Sequence, residues 1–170
     1  MVHAVILFDE RDADVAERLD TALESMKRKG LIATHSILNI LPGQDIAKTI
    51  ENQSLQSEVS IVILSIDTNQ DLICNLVKKH KDGSTNLLIV YANYVDEDLI
   101  REFNENKIPV VPLMPIASHP NKDAAYQKVV RKVKTHLQQA AKAKTLTNTN
   151  QKKNLLIMLA ARRNTLNSDE

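Results

Sequence analysis

Short apolar, β-branched runs alternate with helical spacing along most of the chain. The runs at residues 3–8 (HAVILF), 31–38 (LIATHSIL), 58–66 (EVSIVILSI), 86–92 (NLLIVYA) and 108–114 (IPVVPLM) predict five strands. The first, third and fourth are almost continuously apolar, the pattern of central strands covered on both faces. The second alternates more and carries His35, so it is expected at an edge. Between the runs, Val15, Leu19, Ala22, Leu23 and Met26 recur at helical spacing between Asp12 and Lys29, with Gly30 as the stop. Ile46 and Ile50 mark a short second helix. Leu72, Ile73, Leu76 and Val77 mark a third, opened by Asn69 and closed by Gly83. Leu99, Ile100 and Phe103 mark a fourth, and Tyr126, Val130, Val133 and Leu137 a long fifth, entered through SHPNKD. Strict alternation implies parallel strands joined by right-handed crossovers. The expected fold class is therefore α/β: a flavodoxin-like three-layer sandwich with a five-stranded parallel sheet in the order 2-1-3-4-5, plus a C-terminal helix.

Past Lys142 the pattern changes. Residues 1–142 form the expected α/β domain, and the polar stretch 143–150 (AKTLTNTN) lacks apolar spacing and is expected to be a linker. Residues 151–170 then offer a short amphipathic helix with Leu155, Leu156, Met158, Leu159 and Leu166, which either docks on the domain or begins a further one.

The strand order has a chemical consequence. Its switch point falls between the first and third strands, so the loops FDERD and SIDTNQD flank the crevice where a ligand would bind. They carry Asp9, Glu10, Asp12, Asp67 and Asp71. Asp9, Glu10 and Asp67 could hold a hard cation, as in a phospho-receiver site. Such a site also needs a lysine at the end of strand five, where VVPLMPIA has none. Acidic residues that cap helix starts explain the same positions without a metal, and no metal or cofactor is assigned. Pro42-Gly43 interrupts ILNILPGQD, but neither the additional glycines nor the Gly-Lys-Ser/Thr of a phosphate loop follow it. The five histidines lack ligand spacing, with His80 read as solvated in KKHKD, and Cys74 sits among apolar positions as a buried, inert thiol.

Composition narrows the partners. A hydrophobic share of 43% supports a real core, and 22 basic against 21 acidic residues (net +1) give no global pull toward nucleic acid. The basic segment KVVRKVKTHLQQAAKAK lacks the interleaved aromatics of a base-stacking surface. No basic leader precedes an apolar run at the start, and no stretch approaches the ~18 apolar residues of a membrane span. The expectation is a cytoplasmic domain with neither nucleic-acid nor membrane partners.

Over residues 3–140 the sequence resembles a bacterial TIR domain (Toll/interleukin-1 receptor type). VILFDERDADVAERL is similar to the family's first box, with Phe8 in its aromatic place and Asp12 in its acidic one. MKRKGLIA places a glycine just before strand two, and ILPGQDIAKTIENQ resembles the BB loop and its helix. SEVSIVILSID resembles the third strand, and PVVPLMPI the late strand of bacterial members. The resemblance implies a cleft around Phe8, Asp9, Asp12 and Asp67 and a contact loop at Leu41, Pro42, Gly43, Gln44 and Asp45. Some members cleave NAD⁺ with a glutamate on the third helix; others only self-associate and pass signals on. Here TNQDLICNLVKKHKDG contains no glutamate, and its first acidic residue is Asp71. The first expectation is a catalytically degenerate interaction module in a bacterial signalling or conflict system, binding protein partners or itself through the BB-like loop. The second is a divergent NAD⁺ hydrolase using Asp71, with NAD⁺ only as substrate, and the third a receiver-like cation-binding domain. The C-terminal NLLIMLAARRNTLNSDE weakly resembles the start of small effector-associated adaptor domains, which implies homotypic pairing with partner proteins.

Overall fold

Three strands carry almost uninterrupted apolar side chains into the interior, and the rest of the architecture is arranged around them. A computed structural model describes residues 1–36 and 57–166, together with positions 48 and 52. In chain order its elements are β1 (Val2–Leu7), a 3-10 turn (Glu10–Asp12), α1 (Ala13–Ala22), α2 (Glu24–Arg28), β2 (Ile32–Ser36), β3 (Val59–Leu64), α3 (Gln70–Lys81), β4 (Asn86–Tyr91), α4 (Glu97–Glu105), β5 (Val110–Val111), a second 3-10 turn (Ile116–Ser118) and α5 (Lys122–Leu166). The chain divides into two compact units, Met1–Thr135 and His136–Glu170.

The strands form one five-stranded sheet in the order β2-β1-β3-β4-β5, every pair parallel, as the alternation of elements predicts. All six residues of β3 and five of the six in β4 are buried, because these strands are covered on both faces. On one face Val5, Leu7, Val62, Leu64, Leu87 and Ile89 cluster with Ile73, Leu76 and Val77 of α3 and Phe103 of α4. The alternate residues Ala4, Ile6, Ile61, Ile63, Leu88 and Val90 belong to the opposite face and are equally buried. Among the described residues β2 pairs only with β1, in the edge place its alternating pattern predicts.

Several local expectations change. β5 shrinks to two residues because Pro109 and Pro112 bracket it, and neither has an N–H to give to a ladder. The helix expected from Asp12 to Lys29 is divided at Leu23 into α1 and α2. The expected linker 143–150 is helical and continuous within α5. No glycine or proline follows Pro120, the segment is flanked by strong helix formers, and the hydroxyls of Thr145, Thr147 and Thr149 donate to the carbonyls four residues back at 3.1, 3.0 and 2.8 Å. Cys74 is exposed, not buried: the inward face of α3 is set by Ile73, Leu76 and Val77, and position 74 lies off that stripe. His80 is half-buried and accepts the Leu87 N–H at 3.2 Å through Nδ1, so it ties the end of α3 to β4 where a solvated side chain was expected. The second helix and the BB-like loop fall outside the described residues, apart from Lys48 and Asn52, which are helical and exposed. Among the described residues no helix is long and apolar enough to cross a membrane.

Candidate functional site

The crevice predicted at the switch point lies where the chain leaves β1 and β3. These strands pair in parallel with Leu7 beside Val62, so both following loops emerge at the same edge of the sheet. After β1, Asp9 opens the 3-10 turn: its Oδ1 accepts the Arg11 N–H at 3.0 Å, and its carbonyl accepts the Asp12 N–H at 2.8 Å. That turn swings Asp12 inward, where it is only 8% exposed. After β3, the Ser65 N–H donates to Thr68 Oγ1 at 2.9 Å, and the Thr68 hydroxyl donates back to the Ile63 carbonyl at 3.2 Å. This small turn fixes the Ser65 hydroxyl so that it donates to Asp12 Oδ2 and accepts the Asp67 N–H at 3.3 Å. A second bridge joins the loops on the outside, from the Arg11 guanidinium to the Asp67 carboxylate.

The electrostatics follow from this stitching. Burial pushes the Asp12 carboxyl above its ordinary range; the Ser65 hydroxyl opposes the shift, while the charges of Asp67, Asp9 and Asp14 add to it. The Arg11 guanidinium is pushed up by its hydrogen bond to Asp67 and by the charges of Asp67 and Asp9. Asp67 is thus neutralised by the chain's own arginine, and Asp12 is committed to a buried hydroxyl. Among the described residues no group of three or more His, Cys, Asp or Glu has the arrangement to hold a metal ion. What the crevice offers is one desolvated carboxylate of raised proton affinity, closed over by its own neighbours.

The structure brings Asp9, Asp12 and Asp67 together at this edge, with Phe8 half-buried just beyond β1. Glu10 is exposed and turned toward solvent. Asp71 is not part of the cluster. It is exposed in the first turn of α3, where its backbone N–H and that of Leu72 donate to the Asn69 capping oxygen at 2.9 and 3.2 Å. Leu41, Pro42, Gly43, Gln44 and Asp45 lie outside the described residues.

Two sets of residues escaped sequence reasoning. Ser65, Thr68 and Arg11 hold the crevice shut, and a polar pair just after an apolar strand was the available signal for the first two. The second set is apolar. Ile66 follows β3, Tyr94 follows β4, and Leu113 and Met114 follow β5; they are 78, 61, 94 and 49% exposed. These are the C-terminal ends of three neighbouring strands, so the exposed apolar side chains share the rim that carries the carboxylates. Large apolar residues at turn positions, in SIDT, NYVD and PLMP, were the signal.

Compared with known proteins, the chain matches no family model and no curated protein.

Proposed function

We propose that this protein is a TIR-like interaction module of a bacterial signalling or conflict system, which acts in the cytoplasm by assembly and not by turnover of NAD⁺. One observation carries the reading: the rim of the sheet displays Ile66, Tyr94, Leu113 and Met114 to solvent, while the carboxylates beside them are engaged internally. Exposed apolar groups gathered at one edge favour association with another protein surface. A hydrolase would instead need a free carboxylate held within reach of a ribose. The acidic residue of α3 nearest that role, Asp71, is exposed at the helix start. The strand order and the TIR-like boxes around Phe8 and Asp12 support the family resemblance, and the BB-like loop at 41–45 is proposed as a second contact element.

The test pairs sedimentation with chemistry. Sedimentation equilibrium of the full chain is expected to give a mass that rises with concentration, and Leu113→Asp with Tyr94→Ser should weaken that association about tenfold or more. The same samples incubated with NAD⁺ should release no nicotinamide. A strictly monomeric protein whose nicotinamide release is abolished by Asp71→Ala would replace this reading with the hydrolase.

A further inference from the structure

The second unit, His136–Glu170, uses its apolar residues differently. Within α5, Leu155, Leu156, Ile157, Met158 and Leu159 are consecutive and are 59, 67, 59, 66 and 51% exposed. Consecutive helical positions are ~100° apart, so five of them surround the helix axis. An amphipathic surface helix has one apolar face; a helix that is apolar all round is one made to be enclosed. The flanks of this girdle are basic. Lys152 and Lys153 precede it and Arg162 follows it, and between Asp123 and Asp169 the sequence contains no acidic residue.

We propose that the 155–159 girdle of α5 is a docking element that inserts between helices of a partner protein whose groove is apolar and carries Asp or Glu at both rims. The inference does not depend on the TIR-like reading and concerns a surface distinct from the rim of the sheet. Charge complementarity selects this occupant. Two copies of α5 in parallel would set Lys152 and Lys153 against themselves, and antiparallel pairing would set them against Arg162; a self-complementary seam needs acidic residues beside the girdle, and none lies between Asp123 and Asp169. A membrane is the wrong shape of partner. The apolar stretch 155–161 is about 10 Å long against a hydrocarbon core of ~30 Å, and a helix lying in the interface needs segregated faces. An acid-rimmed helical groove encloses the girdle and pairs its two basic ends.

The probes are two designed amphipathic helical peptides with the same leucine face, one rimmed by glutamate and one by lysine. The third probe is vesicles of phosphatidylglycerol. Each is titrated into the full chain, with sedimentation of the chain alone as control. The chain should bind the Leu/Glu peptide at least about tenfold tighter than the Leu/Lys peptide. Leu155→Asn with Leu159→Asn should weaken that binding about tenfold or more, and circular dichroism should show that the fold is kept. Lys152→Glu with Lys153→Glu should reverse the preference between peptides, and raising salt from about 50 to about 500 mM should reduce it. Equal binding of both peptides, or none, overturns the proposal. So does dimerisation of the chain abolished by the Leu155 and Leu159 changes, which makes a second copy the occupant, or vesicle binding abolished by them, which makes it a membrane.

Discussion

Two regions of this chain, the sheet core and the 155–159 girdle of α5, handle leucine in opposite ways. In Met1–Thr135, Leu64 and Leu87 are fully buried between sheet and helix. In His136–Glu170, Leu156 and Leu159 stand in solvent on a helix held by local bonds, with threonine hydroxyls returned to its own carbonyls. The same side chain supplies folding free energy in the sheet core and stands exposed in the girdle. Burial of a leucine contributes roughly 1.5–3 kcal/mol, whereas an exposed leucine contributes to its own fold little beyond helix propensity.

The largest expected effect tests that contrast directly. Leu64→Ala removes side-chain volume from the face where β1, β3 and β4 meet α3, and should destabilise the protein by about 2–5 kcal/mol in denaturant unfolding. Leu156→Ala should shift stability by less than about 0.5 kcal/mol, because its site is 67% exposed and alanine favours the helix. Equal losses at the two sites would break the comparison and show that the girdle is core.

That contrast also explains what was legible in the sequence. β1, β3 and β4 announce themselves because strands buried on both faces must be continuously apolar, and Asn69 and Gly83 mark the ends of α3 through local chemistry. Gly83 sits at φ 79°, a conformation that favours glycine. Exposure is not local. Ile66, Tyr94 and Leu113 have the composition of core residues; their turn neighbours hint otherwise, and the placement of the strand ends shows them outside. Cys74 was misplaced for a similar reason: an apolar neighbourhood in sequence does not fix which side of the helix a residue takes. The contact from Ser65 to Asp12 spans 53 positions and exists only because β1 and β3 pair in their particular register. The linker expectation at 143–150 fails because polar composition does not by itself make irregular backbone: AKTLTNTN holds neither glycine nor proline, and the alanine-, lysine- and leucine-rich segments on either side are good helix formers.

A smaller effect sharpens the difference between a capped, docked helix and one sustained locally. Asn69→Ala removes the oxygen that accepts the N–H groups of Asp71 and Leu72 and should cost about 1 kcal/mol of unfolding free energy. The loss should appear as faster hydrogen exchange in the first turn of α3, with no change in the helicity contributed by 145–162.

The smallest effect concerns charge, which the first unit buries at Asp12 and the second leaves exposed at Lys152 and Lys153. Asp12 is held inside with its proton affinity raised, mainly by burial. Because the folded state disfavours its charged form, ionised Asp12 opposes folding. That opposition is fully present above the raised folded value and disappears as pH falls below the ordinary aspartate value near ~3.9. Asp12→Asn keeps an oxygen to accept the Ser65 hydroxyl but carries no charge. The variant should therefore equal or exceed the parent in stability at neutral pH, and the two should converge as the pH is lowered through that window. Thermal melts at stepped pH read the difference. A variant that is less stable at pH 7 than at pH 4, relative to the parent, would show that the Asp12 carboxylate is stabilised by the Ser65 hydroxyl more than burial penalises it, and the crevice would then be a built anion environment and not a closed seam.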